Sequence, residues 1–335
     1  MPDTYDRERA VALDAVRSAA RLCQTVQADI DSGVMQKEDR TPVTVADFGS
    51  QALICKVLQD QFPADPVIAE EDSEALAENE EIFDAVVDRV GAEVPSANRA
   101  LTRAWIDHGN AESYSDRFWT LDPIDGTKGF VRGDQYAIAL ALIVDGRPQV
   151  AALACPNLPS RFGTDDPSSV GQAFLAVRDQ GTMQVPLDAG SRDASVEIHT
   201  SDVAEAAEGR FTESFVSAHS SHDMAVQVGN RLGIDDEPLR IDSQAKYAVV
   251  ARGSAEIYFR LPRPGSTYVE KIWDHAAGSL VVEAAGGTVT DMHGEPLDWT
   301  HAPLLSENEG IVATNGRFHK DVLAALNEEM EVSRS

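Results

Sequence analysis

The chain has 335 residues, 56 of them acidic against 28 basic, for a formal charge of −28 and an isoelectric point near 4.5. Its hydrophobic fraction of 43% supports one large core or two joined ones, and its negative field argues against a nucleic-acid polymer as partner. No apolar targeting segment opens the chain and no run approaches the ~18 apolar residues of a membrane span, so a soluble cytoplasmic protein with no membrane partner is expected.

Lysine is scarce, at Lys37, Lys56, Lys128, Lys246, Lys271 and Lys320. An acidic excess of this kind reads as a solvated surface suited to high salt, where self-repulsion is screened. A small anionic substrate is compatible with it, provided that cations are gathered locally. Cys23, Cys55 and Cys155 lie far apart in apolar surroundings, which predicts buried thiols, neither a disulfide framework nor a zinc site.

From Tyr5 to Ile30, residues Val11, Ala15, Ala19, Leu22, Val26 and Ile30 recur at helical spacing, so a long amphipathic helix is predicted to open the fold. Asp31 to Arg40 is polar and reads as a loop. A second helix follows from Thr41, with Leu53, Ile54, Val57 and Leu58 inward. Asp47 is expected in its first turn, where exposed N–H groups favour a carboxylate. Pro66 to Asp72 reads as a short apolar strand ending in three acids. Ser73 to Arg117 is a helical excursion rich in Glu and Ala. The strand that begins near Trp119 is expected to end at Pro123, which lacks an N–H and holds Asp122 extended. Tyr136 to Val144 and Gln149 to Cys155, split by Asp145-Gly146, read as a hairpin. The polar stretch Pro156 to Gly171 is expected to divide the chain into halves, 1–156 and 157–335.

The second half predicts strands at Ala173 to Val177, Ser191 to Thr200, Phe215 to Ser217 and Glu256 to Leu261. Helices are expected after Ser220 and Ile241. Another runs from Trp273 to paired glycines at Gly286 and Gly287, with Asp274 at its start. Thr288 to Thr290 and Gly310 to Ala313 read as closing strands, and Phe318 to Leu326 as the last helix.

The chemistry concentrates in Trp119 to Phe130, where Asp122, Asp125 and Thr127 fall within six residues. Gly126 and Gly129 let backbone N–H groups come close to an anion. Acids stand at element ends in four separated stretches: Asp47, Glu70, the Asp122/Asp125 pair and Asp274. Such a cluster repels itself unless cations neutralise it. Hard oxygen ligands so arranged suit Mg²⁺, and two or three ions together can clamp a phosphate.

Asp122-Pro-Ile-Asp-Gly-Thr127, together with Trp273-Asp-His-Ala-Ala-Gly278, resembles the two signatures of the inositol monophosphatase superfamily of metal-dependent, lithium-sensitive phosphatases. Lys128-Gly-Phe130, Ser220-Ser-His-Asp223, Asp242-Ser-Gln-Ala-Lys-Tyr247 and Tyr258-Phe-Arg-Leu-Pro262 are similar to its 3'(2'),5'-bisphosphate nucleotidase branch. That branch acts on 3'-phosphoadenosine 5'-phosphate in sulfur metabolism. The likeness runs from about Tyr5 to about Leu326.

The resemblance implies the α/β (α+β) class with layers ordered α-β-α-β-α. It also implies that Glu70, Asp122, Asp125, Asp274 and the Ile124 carbonyl hold Mg²⁺. Asp47 and Thr127 would orient and activate the attacking water. N–H groups near Gly126 and Thr127 would receive the 3'-phosphate. His222, Ser243, Lys246 and Arg260 would hold the nucleotide, the two cations taking its 5'-phosphate. The implied protein is a monomeric or homodimeric phosphatase that turns this small nucleotide, or its sulfated form, into the 5'-nucleotide and phosphate. Two alternatives stay open: an inositol mono- or bisphosphate phosphatase, and a non-catalytic, metal-dependent nucleotide sensor. One departure is Ala69, where the superfamily usually has Gly. Were positive φ required there, alanine would strain the loop that carries Glu70. Asp72 likewise stands where Ser is common.

Overall fold

The computed structural model describes residues 4–31, 41–76, 79–163, 169–188, 195–215, 222–263 and 265–334. Helix α1 (Asp6–Asp31) buries Ala15, Ala19, Leu22, Val26 and Ile30 along one face, as their spacing predicts. It packs on α2 (Thr41–Gln61), which is buried along most of its length. Helices α3 (Glu80–Glu93) and α4 (Arg99–Asp107) form the expected helical excursion and also rest on α2.

These helices cover one face of a seven-stranded sheet whose strands lie in chain order. They are β1 (Val67–Ala69), β2 (Arg117–Asp125), β3 (Ala137–Val144), β4 (Arg147–Pro159), β5 (Val170–Val177), β6 (Gly181–Pro186) and β7 (Val196–Ile198). Only β1 and β2 run parallel; the other neighbours are antiparallel. Period-two alternation sends Trp119, Leu121, Leu140, Leu142 and Val150 to the helical side. Phe118, Ala139, Ala141, Ile143, Ala151 and Leu153 go to the other.

That second face is rich in alanine, which lets α7 (Ala245–Ala251) and α8 (Ala276–Ala284) lie close to it. A Cβ on Gly278 would sit 2.2 Å from the Tyr247 ring, so the approach of α8 to α7 requires glycine there. Beyond these helices lies a five-stranded sheet, ordered β11 (Thr288–Thr290), β12 (Ile311–Thr314), β10 (Ile257–Arg260), β8 (Phe211–Glu213) and β9 (Leu239–Arg240). Its outer face is covered by α6 (His222–Leu232) and α9 (His319–Arg334), with Val228, Phe318, Val322 and Leu326 packed around Ile257, Phe259 and Val312. The layers are therefore α-β-α-β-α, as the resemblance implies.

Several expectations change in detail. The first sheet crosses the boundary expected at residue 156, because β4 pairs with β5 through Cys155 and Gln172. β2 does not stop at Pro123 but continues to Asp125. α2 starts at Thr41, which puts Asp47 in its second turn, not its first. The helix expected from Trp273 is split into a 3-10 turn, Ile272–Asp274, and then α8. The strand expected at Phe215 to Ser217 lies mostly outside the described residues, and the sheet is instead supplied by β8. Most of the loop from Asp31 to Arg40 is likewise outside them. β6 and β9 have no apolar run to announce them. All three cysteines are buried, free thiols. Among the described residues no helix is long and apolar enough to cross a membrane.

Candidate active site

Two parallel strand ends start the site. Ala69 of β1 pairs with Leu121 of β2, so Glu70 and Asp122 emerge side by side one residue later. Ala69 has none of the positive-φ geometry that would strain it; it sits in extended strand. Past Asp122 the ladder slips. Asp122 pairs with Ala139 and Asp125 with Ala137, so three steps on β2 match two on β3. In a regular strand, residues three apart face opposite sides; one extra residue brings Asp122 and Asp125 onto the same side. Pro123, with no N–H for the ladder, lies within this bulge.

Helix α2 reads the bulge and the strand end from above. Ser50 Oγ donates to the Pro123 carbonyl at 3.0 Å. Gln51 donates to the Ile106 carbonyl at 3.1 Å and accepts from Glu71 N at 3.0 Å. Asp47 shares their face, three and four residues earlier. It is 5% exposed, and its Oδ1 is buried with no hydrogen-bond partner.

After Asp125 the chain turns through Gly126 at φ 88° into the short helix α5 (Thr127–Arg132). A Cβ there would meet Ser243 Cβ at 2.9 Å, so this turn admits only glycine. Ser243 itself holds φ 69°, a left-handed conformation that is costly for a non-glycine residue. Next to it Gln244 joins three parts of the site. Its N–H donates to Asp125 Oδ2, its side chain donates to the Trp273 carbonyl at 3.0 Å, and its Oε1 accepts from Gly278 N at 3.3 Å.

The resulting cavity, about 380 Å³, is lined by Glu70, Asp122, Ile124, Asp125, Gly126 and Thr127. Ser243, Lys246, Arg260 and Asp274 line it as well. Ten of the twelve expected site residues thus line the cavity, and Asp47 is buried on α2 within reach of the charges of Asp122, Glu70 and Glu71. The twelfth, His222, opens α6, but its side chain lies outside the described residues. Lys246 is buried, donates to Ser214 Oγ at 2.9 Å and lies 5.3 Å from the centre of the Tyr258 ring. Arg260 is paired with Glu270 at 3.0 Å. Glu270 also meets His275, and the ligand-capable atoms of Glu270, Asp274 and His275 all lie within 4.8 Å of one another. Sequence reasoning missed Gln244 and Glu270. Gln244 lies inside a quoted motif, whereas Glu270 had no signal beyond its place four residues before Asp274.

Comparison with known proteins sorts this arrangement. The model of the inositol monophosphatase family matches residues 5–331. The chain belongs to the inositol monophosphatase family. Among curated relatives, the 3'(2'),5'-bisphosphate nucleotidase of Schizosaccharomyces pombe is 41% identical over 96% of this chain and 95% of its own. That of Oryza sativa is 43% identical over 98% and 95%. An inositol monophosphatase from Anabaena has the same fold, with a TM-score of 0.62 at 21% identity over 97% of each chain. CysQ from Bacteroides thetaiotaomicron, a bacterial member of the family, also gives 0.62, at 18% identity over 94% and 98%.

Inositol monophosphatase-family proteins are typically metal-dependent, and the side chains here fit a hard cation. Asp122 is 1% exposed, and its Oδ1, like that of Asp47, is a buried acceptor without a donor. Burial, then Glu70, Asp125, Asp274 and Asp47, hold the Asp122 carboxyl well above its usual range. Burial, with Glu71 and Glu70, does the same to Asp47. Asp274 is pushed up to about 7, foremost by burial, against the pull of His275 and with help from Asp125. Glu70 is raised to about 7 by burial and then by Glu71; its side chain keeps access to solvent, which weakens its effect on stability. Carboxyls that resist ionisation for want of a positive charge make a natural cation cradle.

The sign of the pH effect follows. These folded-state values are raised, so the metal-free protein keeps protons that the unfolded chain releases. Their stabilisation is complete below the ordinary carboxylate range near 4 and is lost as pH rises through about 7. With chelator present, the melting temperature is expected to fall by roughly 5 °C between about pH 5 and pH 8. Mg²⁺ should restore more at the upper end than at the lower. Differential scanning fluorimetry reads both; a flat profile in chelator would contradict the assignment.

Proposed function

We propose that the chain is a 3'(2'),5'-bisphosphate nucleotidase that removes the 3'-phosphate of 3'-phosphoadenosine 5'-phosphate, and of its sulfated relative 3'-phosphoadenosine 5'-phosphosulfate. The observation that carries this reading is one cavity with two chemistries. The carboxyls of Asp122, Asp125 and Asp274 line it together with the cations of Lys246 and Arg260. The first suits a phosphate held through cations, the second a phosphate held directly. A volume of about 380 Å³ matches a small ligand site. The near-full-length similarity to curated 3'(2'),5'-bisphosphate nucleotidases supports the same substrate class.

In this reading Glu70, Asp122, Asp125, Asp274 and the Ile124 carbonyl hold two or three Mg²⁺ ions. Bound Mg²⁺ supplies neutralisation of the phosphoryl oxygens and an easier deprotonation of nearby water. In the reaction the Thr127 hydroxyl would donate to Asp47, whose buried Oδ1 has no donor in the structure, and would so turn its lone pair toward a water. That water's oxygen joins phosphorus opposite the ribose O3' while its proton passes through Thr127 to Asp47. The P–O3' bond breaks with its electron pair going to O3', which takes a proton from solvent and leaves as the 3'-hydroxyl of AMP or, from the sulfated substrate, of adenosine 5'-phosphosulfate. The free N–H groups at the start of α5, next to Gly126, receive the phosphoryl oxygens. Ser243, on the cavity wall, would contact the nucleoside. Lys246, its ammonium held down to about 8 by burial, gains a counter-charge when the 5'-phosphate arrives.

The test is phosphate release under saturating Mg²⁺ from adenosine 3',5'-bisphosphate, its sulfated form, inositol phosphates and fructose bisphosphate. Adenosine 3',5'-bisphosphate should exceed inositol monophosphate in kcat/KM by at least about tenfold, and Lys246→Ala or Arg260→Ala should raise its KM by about 10- to 100-fold. Unchanged turnover in those variants, or better turnover of inositol phosphates, would point to an inositol phosphatase. Release that never exceeds background would point to a sensor.

A further inference from the structure

Arg260 does not stand alone. Among the described residues its side chain is held through Nε only, by Glu270 Oε1 at 3.0 Å. The other oxygen of Glu270 meets His275 Nε2 at 3.0 Å, and His275 Nδ1 lies 2.8 Å from the Tyr247 hydroxyl. His275 is 1% exposed and Tyr247 is fully buried. An ionised carboxylate only accepts, so Glu270 fixes a His275 proton on Nε2, while Nδ1 and the Tyr247 hydroxyl share a second hydrogen bond on the far side of the ring. Tyr247 also packs edge-on against Tyr258, 4.9 Å between ring centres, and Lys246 lies over that same Tyr258 ring. One buried network thus links the supports of both cations that line the cavity.

We propose that Glu270 is a positioning residue for the substrate's second phosphate: it grips Arg260 by Nε and aims the far edge of the guanidinium into the cavity, while the His275–Tyr247 pair fixes Glu270. The inference rests on the nucleotidase reading above. A guanidinium holds a phosphate with paired N–H groups only when its plane is fixed, and an untethered arginine loses that geometry to rotamer freedom. Glutamine at position 270 keeps the shape, but if its carbonyl faces His275, its NH₂ group confronts Arg260 Nε–H, donor against donor. The arginine is then released without any change at Asp122 or Asp125.

The experiment measures kcat and KM for adenosine 3',5'-bisphosphate and for adenosine 3'-phosphate, which lacks the 5'-phosphate, in the wild type and in Glu270→Gln. For the bisphosphate, KM is expected to rise about tenfold with kcat changed by less than about threefold, the rise for the monophosphate should be at least about fivefold smaller, and adding Glu270→Gln to Arg260→Ala should raise KM no further. Equal rises for both substrates, a loss confined to kcat, or additivity with Arg260→Ala would overturn the positioning role. A wild type that fails to prefer the bisphosphate over the monophosphate would instead overturn the nucleotidase reading, and this inference with it. Should Glu270→Gln show no cooperative melt, Tyr247→Phe tests the same network from its other end. It should produce the same KM-weighted, bisphosphate-specific shift at lower amplitude, and an equal effect on both substrates would again refute the proposal.

Discussion

Asp122→Asn is expected to lower kcat/KM for adenosine 3',5'-bisphosphate by about three orders of magnitude, while raising the melting temperature of the metal-free protein by about 3 °C. Both halves come from one fact: Asp122 is a buried carboxyl with an undonated oxygen, crowded by Glu70, Asp125, Asp274 and Asp47. Without cations its charge is a cost, and the neutral amide removes that cost while keeping the shape. With cations its charge is the reason they stay, and the amide is a poor replacement. The diagnostic measurement is therefore paired. The wild type should gain stability on adding Mg²⁺ at pH 8, as a ligand that binds only the folded state requires, and Asp122→Asn should gain little. A variant that is inactive but still strongly stabilised by Mg²⁺ would contradict the proposed ligand role.

Asp47→Asn should behave differently. We expect kcat to fall by about 10²- to 10³-fold, with KM within about threefold of wild type. Asparagine still accepts a hydrogen bond from Thr127, but it cannot take up a proton or hold the hydroxyl as firmly. Asp47 lies on α2, one turn before Ser50, which is tied to the bulge, and is absent from the proposed ligand set. The Mg²⁺-induced rise in melting temperature should therefore persist in Asp47→Asn and vanish in Asp122→Asn. Loss of that rise in both would merge two roles that this reading separates.

The layers, and most of the residues that line the cavity, could be read from the sequence because they rest on local rules. Apolar spacing in α1, the Asp145-Gly146 hairpin and the paired glycines after α8 each need only neighbouring residues to be understood. The acids were legible because carboxylates at element ends, in four stretches, have few structural uses. What stayed hidden depends on distant partners. Pro123 was expected to end its strand; β3 and Ser50 instead carry the strand through as a bulge. Glu270 looked like one acid among 56 until Arg260 and His275 were seen on either side of it. β6 and β9 are strands because β5 and β8 offer them an edge, not because of their own composition. Ala69 looked like a liability only while its backbone conformation was unknown.

The slipped register between Asp122 and Asp125 means that the site is encoded in how many residues separate two acids as well as in which acids they are. Altering side chains along β2 can tune affinity for cations, but the strand keeps both carboxyls turned the same way. Regular pairing with both intervening residues kept would turn one acid to the α1/α2 side of the sheet, among Trp119, Leu121 and Ile124. Removing one of the intervening residues would restore even pairing and leave both acids on one face, but it would erase the bulge whose Pro123 carbonyl Ser50 holds. Side-chain changes therefore leave a family member room to drift, whereas spacing and bulge can change only together.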